Sequence, residues 1–486
     1  MDNSKTHPIT RNLFSLITGQ TFSLLLNFLS ITLIARHLGV KDFGVFSYTI
    51  ALVTIISKVI DFGLVPITFR ESSKGEDNFR FLNTAFTIRL ILFSITIVAF
   101  NSLAALMKIS TVEILLSNIL MLNVILSSKF QNFRELLDIP YKISLKSHHS
   151  MIASTIDNLL LVILIIGVIN FNLGIYFVVW AYVLSNIPGF CYLVFILYKK
   201  YNYKFRFTFY RTSWFIRESL PLFVYVSLAV LIQQIDVLLL KNLDSEYSVG
   251  IYSAAMRLTL PLMIIPSAIV STIFPTLVRN VGSEDSRSNF LNSLIFKILF
   301  LISFVFAVIV GFKTNDFIAI IFGNEFKETS IPLILLLITQ VFLFSNFFTI
   351  NLLTIYSKQK NSMLYALIVL IVNFILNLLL IPIYSFNGAG FSKLIAVAIG
   401  TFVLSFVTKA SSISITFFNL RFFVWIILIL SVTLILSYLN FVLYIILLVS
   451  AISILTLKLK FFSDEEILLI LKLINKEKWS KAILKL

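Results

Sequence analysis

Hydrophobic stretches long enough to cross a bilayer recur along nearly the whole chain, separated by short polar breaks. A helix crosses the ~30 Å hydrocarbon layer with about 20 apolar residues. Fourteen stretches approach or exceed that length: 12–35, 42–66, 83–106, 111–128, 148–169, 173–198, 213–240, 248–278, 289–312, 330–357, 361–383, 387–408, 422–438 and 441–457. The last two are parted by a turn at Asn440. Run length predicts helices, because strands of a membrane barrel alternate over only about ten residues. The expectation is an all-α integral membrane protein with about fourteen transmembrane helices.

Composition agrees. At 58% hydrophobic and 13% charged residues, with mean hydropathy +0.98, the chain of 486 residues is not a soluble globule. The first apolar run lacks a small-residue cleavage site and exceeds a signal peptide in length, which predicts a retained first helix. With the N-terminus inside, 28 of the 39 Lys and Arg fall on the cytoplasmic side and 6 outside: Arg36, Lys41, Lys108, Lys241, Lys313 and Lys327. The positive-inside rule then places both termini in the cytoplasm. Orientation explains the net charge of +16 better than nucleic-acid binding does, because the charge is dispersed over many short loops.

The basic break YKKYNYKFRFTFYRTSW (198–214) divides the chain near its middle. Around it lies a faint repeat. Arg36-His37-Leu38…Gly44-Val45-Phe46-Ser47 follows the first span, and Lys241-Asn242-Leu243…Gly250-Ile251-Tyr252-Ser253 follows the seventh. This suggests two pseudo-symmetric six-helix lobes, 1–200 and 201–410, then two extra helices within 411–457 and a basic tail, 458–486. Duplicated halves are a transporter architecture, with the substrate site between them near the midplane. In the tail, Ser463 and Glu466 have capping-box spacing ahead of an apolar run. The tail is read as either a surface helix on the anionic inner leaflet or a solvated extension.

Five basic residues fall inside spans: Lys58, Arg89, Arg257, Lys297 and Lys393, against three acids, Asp61, Asp157 and Asp236. A charge at the bilayer centre costs at least roughly 2.5–3.5 kcal/mol, so such groups face a cavity or a partner. Lys58 and Asp61, three apart, are placed for a local ion pair. Arg89 and Lys297 are near enough to cytoplasmic ends to snorkel, and Lys393 near an outer end reads as structural. Asp157 either pairs with a nearby cation or titrates during transport. Arg257 lies roughly 14 Å inside its span at 1.5 Å per residue, one turn before Pro261 in a span that also holds Pro266 and Pro275. Those prolines predict a kink or local unwinding. The excess of buried cations suggests an anionic ligand.

Polar uncharged residues add a second signal. Gln20, Ser23, Asn27 and Ser30 share one face of the first helix. Gln233 and Gln234 precede Asp236, Asn346 and Asn351 lie in the tenth span, and Asn373 and Asn377 in the eleventh. Such stripes are either interhelical hydrogen bonds or the wall of a polar cavity. The repeat favours the cavity for Gln20, Asn27 and Gln233. No G-x-x-x-x-G-K-[ST] phosphate loop occurs, the single cysteine Cys191 lies in a span, and the four histidines lie at or outside span ends. No metal site, cofactor site or nucleophile–base pair is expected. No outside loop exceeds roughly 20 residues, which leaves no room for an extracytoplasmic catalytic domain.

The stretch NLFSLITGQTFSLLLNFLSITLIARHLGVKDFGVFSY (12–48), DFGL (61–64) with Arg70-Glu71, and GIYSAAMRL (250–258) resembles bacterial O-antigen flippases. These are polysaccharide-export members of the multidrug/oligosaccharidyl-lipid/polysaccharide superfamily. The resemblance implies a two-lobed fourteen-helix fold in the bacterial inner membrane. It also implies a transporter, not an enzyme, that flips an undecaprenyl-pyrophosphate-linked oligosaccharide from the cytoplasmic to the periplasmic leaflet by alternating access. Membrane lipids and a glycan polymerase are the expected partners. By the same resemblance Arg257, with Arg36 or Arg89, attracts pyrophosphate or acidic sugar; Lys297 is a further cavity candidate. Coupling to a proton or sodium gradient falls to Asp61, Asp157 or Asp236. The alternatives are a cation-coupled multidrug exporter of the same fold, which favours an acidic cavity, and a membrane-embedded glycan polymerase.

Overall fold

A computed structural model describes residues 3–75, 78–106, 109–130, 132–279, 286–410 and 420–473, and no strand occurs among them. Of the tail, 474–486 lies outside the described residues. The chain folds as two compact units, Met1–Ser253 and Ala254–Leu486.

The first unit contains α1 (Asn3–Asp61), α2 (Leu64–Ser72), α3 (Asn78–Leu106), α4 (Thr111–Leu126), α5 (Phe133–Ile143), α6 (His148–Asn170), α7 (Ile175–Leu184), α8 (Ile187–Tyr201) and α9 (Thr212–Leu243). The unit boundary falls inside α10 (Glu246–Thr259). A break inside α1 at Gly39, φ 69°, separates the first two expected spans; a left-handed backbone is steric strain for any residue with a Cβ. The expected second span stops at Asp61, short of residue 66, because Phe62 and Gly63 both have positive φ. α1 packs against α4, α6 and α9.

The second unit continues through a 3₁₀ turn, Leu260–Met263, into α11 (Ile264–Arg279), α12 (Ser286–Gly311), α13 (Thr314–Ile321), α14 (Ser330–Ile355), α15 (Gln359–Ala410), α16 (Leu420–Leu436), α17 (Phe441–Lys458) and α18 (Asp464–Leu473). The 3₁₀ turn lies where the prolines predicted unwinding: Pro261 has no N–H to give to an α-helical ladder. α15 breaks at Ser385, φ 54°, three residues after Pro382, which separates the two spans expected at 361–383 and 387–408. α14 packs against α12 and α15 and forms the middle of this unit.

Ten described helical stretches are long and apolar enough to cross a membrane, and Thr111–Leu126 and Arg421–Leu436 are shorter apolar helices. Two of the ten, Thr21–Asp61 and Gln359–Thr408, are the broken helices. Each of the fourteen expected stretches therefore falls on a helical segment. Large apolar side chains such as Val98 and Phe402 are exposed at 67% and 83%, a pattern that suits lipid contact and not water.

Candidate functional site

In the first unit the two copies of the sequence repeat touch each other. A Cβ on Gly44 would lie inside the Glu246 carbonyl, 2.8 Å from its carbon and 3.0 Å from Gly250 N. A Cβ on Gly250 would lie inside the Val40 carbonyl, 3.0 Å from its carbon. Glu246 precedes Gly250 by four residues, and Val40 precedes Gly44 by four. The contact is reciprocal, as in an interface about a two-fold axis. Beside it the Lys241 ammonium is 2.9 Å from Glu113 and also pairs with Glu246. Glu113 is held in place by a capping box with Ser110 at the start of α4.

The junction of α1 and α2 meets α9 near its start. Gly63, φ 68°, comes so close that a Cβ would lie 2.8 Å from both Ser219 O and Phe223 N. Phe62 stacks on Phe223 at 4.7 Å. Arg70 binds Glu71 at 2.8 Å and reaches Glu218 on α9 at 3.2 Å. The Lys74 ammonium, and then the Arg70 guanidinium, hold the Glu71 carboxyl below its usual range. The segment from Val40 to Arg70 thus meets α10 near its start and α9 near its start.

Two ion pairs are buried in the same unit. Arg89, with no exposed surface, binds Asp61 and donates to the Asn132 carbonyl at 2.6 Å. Arg134, 1% exposed, binds Asp157 and the Leu126 carbonyl at 3.3 Å, and Asp157 also accepts from Gly189 N at 3.0 Å. A Cβ on Gly189 would lie 2.6 Å from Ala153 O and 2.8 Å from Arg134 Nη2, so glycine there makes room for the pair. Asn132 donates to Ser57 O at 2.7 Å, which ties the segment between α4 and α5 to the end of α1.

The residues expected at the site fall in both units. Arg89 and Asp61 bind each other across 28 positions. Glu466 on α18 holds the Lys297 ammonium at 2.8 and 2.9 Å. Asp157 takes the pairing alternative, through Arg134. Asp236 is fully buried and accepts from Tyr252 Oη at 2.9 Å. Arg257 is partly exposed, two residues before Thr259 ends α10. Arg36 and Gln233 are exposed, Asn27 is half-buried, and the side chain of Gln20 lies outside the described residues. Ser23 meets Thr155 of α6 at 3.4 Å, so part of the α1 stripe is interhelical. Asn346 donates to Tyr365 Oη at 3.1 Å and Thr401 Oγ1 at 2.9 Å, which is interhelical bonding within the second unit.

Three participants escaped the sequence: Arg134 reads as a loop cation, Lys241 as an outside one, and Glu466 only as a cap. For Lys241 the available signal was its place in the repeat; for Arg134, the aromatic and aliphatic residues around it in FQNFRELL.

The second unit carries an apolar groove of about 620 Å³. Phe296, Phe300 and Phe304 of α12 line one side, Phe342 of α14 and Phe422 and Ile426 of α16 others. α16 is fixed by Trp425, whose Nε1 donates to Thr456 of α17 at 3.2 Å, and α17 by Tyr444, whose Oη donates to Val308 O at 3.0 Å.

Residues 9–281 match the family described as polysaccharide biosynthesis protein, and 221–383 match the family MatE. The chain is 24% identical over 400 residues to the probable low-salt glycan biosynthesis flippase Agl15 of Haloferax volcanii, covering 81% of this chain and 82% of that one. In fold it is similar to the lipid II flippase MurJ in an inward closed conformation, with TM-score 0.75, 16% identity, and 92% and 99% of the two chains covered. An inward-facing multidrug resistance MATE family transporter gives TM-score 0.61 at 14% identity, with 80% and 95% covered.

Proposed function

The chain belongs to the polysaccharide biosynthesis protein family, and from that premise we propose that it is a flippase for a lipid-linked glycan. The reading carried furthest is transfer of an undecaprenyl-pyrophosphate-linked oligosaccharide, an O-antigen repeat unit, from the cytoplasmic to the periplasmic leaflet of a bacterial inner membrane. Both termini then lie in the cytoplasm. The observation that carries it is the family match over 9–281, supported by a flippase relative spanning 81% of the chain. The groove between α12, α14 and α16 supports a lipid-linked cargo, because its phenylalanine walls suit a prenyl chain and offer a drug cation no acid.

In this reading two related lobes alternate between open ends, and the reciprocal Gly44/Gly250 contact is one gate. The contact from Arg70 to Glu218 is the other. Arg257 and Arg36 attract the pyrophosphate, while Asn27, Gln20 and Gln233 meet sugar hydroxyls. Arg89 and Lys297 serve by neutralising Asp61 and Glu466. The second reading, a cation-coupled drug exporter of the same fold, is disfavoured by the apolar lining of that groove.

The test is removal of the protein from its host, with the lipid-linked glycan followed leaflet by leaflet. Cytoplasmic-facing accumulation is expected, and Arg257→Ala should reproduce it with the protein still in the membrane. Normal surface glycan together with altered drug tolerance overturns the proposal in favour of the exporter. Collapse of the proton or sodium gradient, one at a time, identifies the coupling ion by which collapse stops flipping.

A further inference from the structure

A second groove, of about 610 Å³, lies in the first unit against the basic linker between α8 and α9. Phe86 and Leu90 of α3, Phe133 of α5, and Phe190 and Val194 of α8 line it, and Lys204 is the one charged residue among its walls. The linker crosses its end as an extended strap. Tyr203 Oη donates to Asn83 Oδ1 at 2.7 Å, Arg206 N to the same oxygen at 3.3 Å, and Thr208 N to Thr87 Oγ1 at 3.2 Å. Asn83 and Thr87 are one turn apart, so the strap runs along a polar edge of α3. Phe205 stacks edge-on against Phe86 at 6.0 Å and covers part of the apolar floor. Phe207 and Phe209, two and four residues on, are left 70% and 65% exposed.

Charge along the linker itself has one sign. Residues 198–217 include Lys199, Lys200, Lys204, Arg206, Arg211 and Arg217 and no acid. Depth is equally informative. Phe190 lies eleven residues before α8 ends at Tyr201, about 16 Å at 1.5 Å per residue. Half of the ~30 Å hydrocarbon layer is about 15 Å. The groove is as deep as one leaflet. It also opens sideways, since Val194, Phe195 and Tyr198 on the same stretch of α8 are exposed.

We propose that this groove is a binding site for an anionic phospholipid of the cytoplasmic leaflet, one acyl chain along Phe190 and Leu90 and the phosphate at Lys204. Lys199, Lys200 and Arg206 complete the basic rim. The proposal rests on the inward orientation of the linker given above, and not on the identity of the cargo. Inside a bilayer a lipid tail gains little by exchanging other tails for protein side chains, which are equally apolar. Selectivity therefore comes from the headgroup, about fivefold in affinity for each lysine or arginine that reaches it. The exposed Phe207 and Phe209 belong in the same interfacial layer, where aromatic rings are enriched.

The experiment uses the full chain, purified and offered phosphatidylglycerol or phosphatidylcholine, with retained lipid counted by native mass spectrometry. No glycan substrate is present, so the outcome is independent of whether the protein is a flippase. One retained phosphatidylglycerol in preference to phosphatidylcholine is expected. Lys204→Gln should weaken that preference about fivefold, and Val194→Trp, which fills the groove from its exposed side, should abolish retention. Equal retention of both lipids, or wild-type retention by both variants, overturns the proposal. Displacement of phosphatidylglycerol from the groove by undecaprenyl phosphate at equal concentration also overturns it, because the groove would then belong to the cargo.

Discussion

Replacing Gly44 by alanine should push α1 and α10 apart by at least about 1 Å. The added Cβ would start 2.8 Å from the Glu246 carbonyl carbon, against an ordinary carbon–carbon separation of ~3.5–4.0 Å. Both neighbours are backbone, so no rotamer change relieves the clash. Overpacking of this kind costs about 1–3 kcal/mol, which lowers the population of the closed contact by a factor of about 5 to 150. Gly250→Ala should do the same through the Val40 carbonyl. Because the contact is reciprocal, one separation relieves both clashes. The double variant should therefore cost little more than either single, a non-additivity of about 1–3 kcal/mol. Spin labels at Lys41 and Tyr247, both exposed and adjacent to the contact, report the separation once the exposed Cys191 is replaced by serine. Longer label distances in both single variants, and no further lengthening in the double, are expected. Unchanged distances in Gly44→Ala, or strictly additive effects, refute the reciprocal geometry.

Other expectations concern the buried charges. Asp157→Asn strands Arg134 and should cost about 3–5 kcal/mol, whereas Arg134→Met with Asp157→Leu should recover most of it; a stable double variant that moves no substrate shows a role beyond structure. Glu466→Gln keeps the cap of α18, since Gln serves in a capping box, but removes the charge from Lys297; thermal inactivation in detergent should come earlier, and an unchanged profile assigns Lys297 to solvent. Burial raises the Asp138 carboxyl above its usual range despite the hydrogen bond from Ser150 at 2.5 Å. Its contribution to stability is full below the unfolded value and is lost as pH rises through the folded one, so Asp138→Asn should flatten that part of a melting-temperature series; a parallel series in both proteins contradicts it.

The helices were legible because each span fills a bilayer with apolar residues, and so were the breaks, because Gly39 and Pro261 are residues a helix accommodates poorly. The ion pairs were legible only as a need for partners. Asp61 is bound by Arg89 from 28 residues away, a partner that spacing along its own helix does not show. Local spacing says which side chains share a helix face, not which helix comes to meet them. Gly44 and Gly250 carried more. Their repeat was visible, but that the two copies face each other is a tertiary fact without a local signature. α5 was missed because eleven residues with Pro140 inside them resemble a loop.

The pairing of Lys297 with Glu466 sets a clock on synthesis. The two residues are 169 positions apart, so at about 5–20 residues per second a ribosome needs roughly 8–34 seconds to deliver the carboxylate after the lysine. Throughout that interval α12 carries a cation whose eventual counter-charge has not been made. The last described helix of the chain is the one that relieves it. A chain stopped anywhere before α18 lacks that carboxylate beside Lys297.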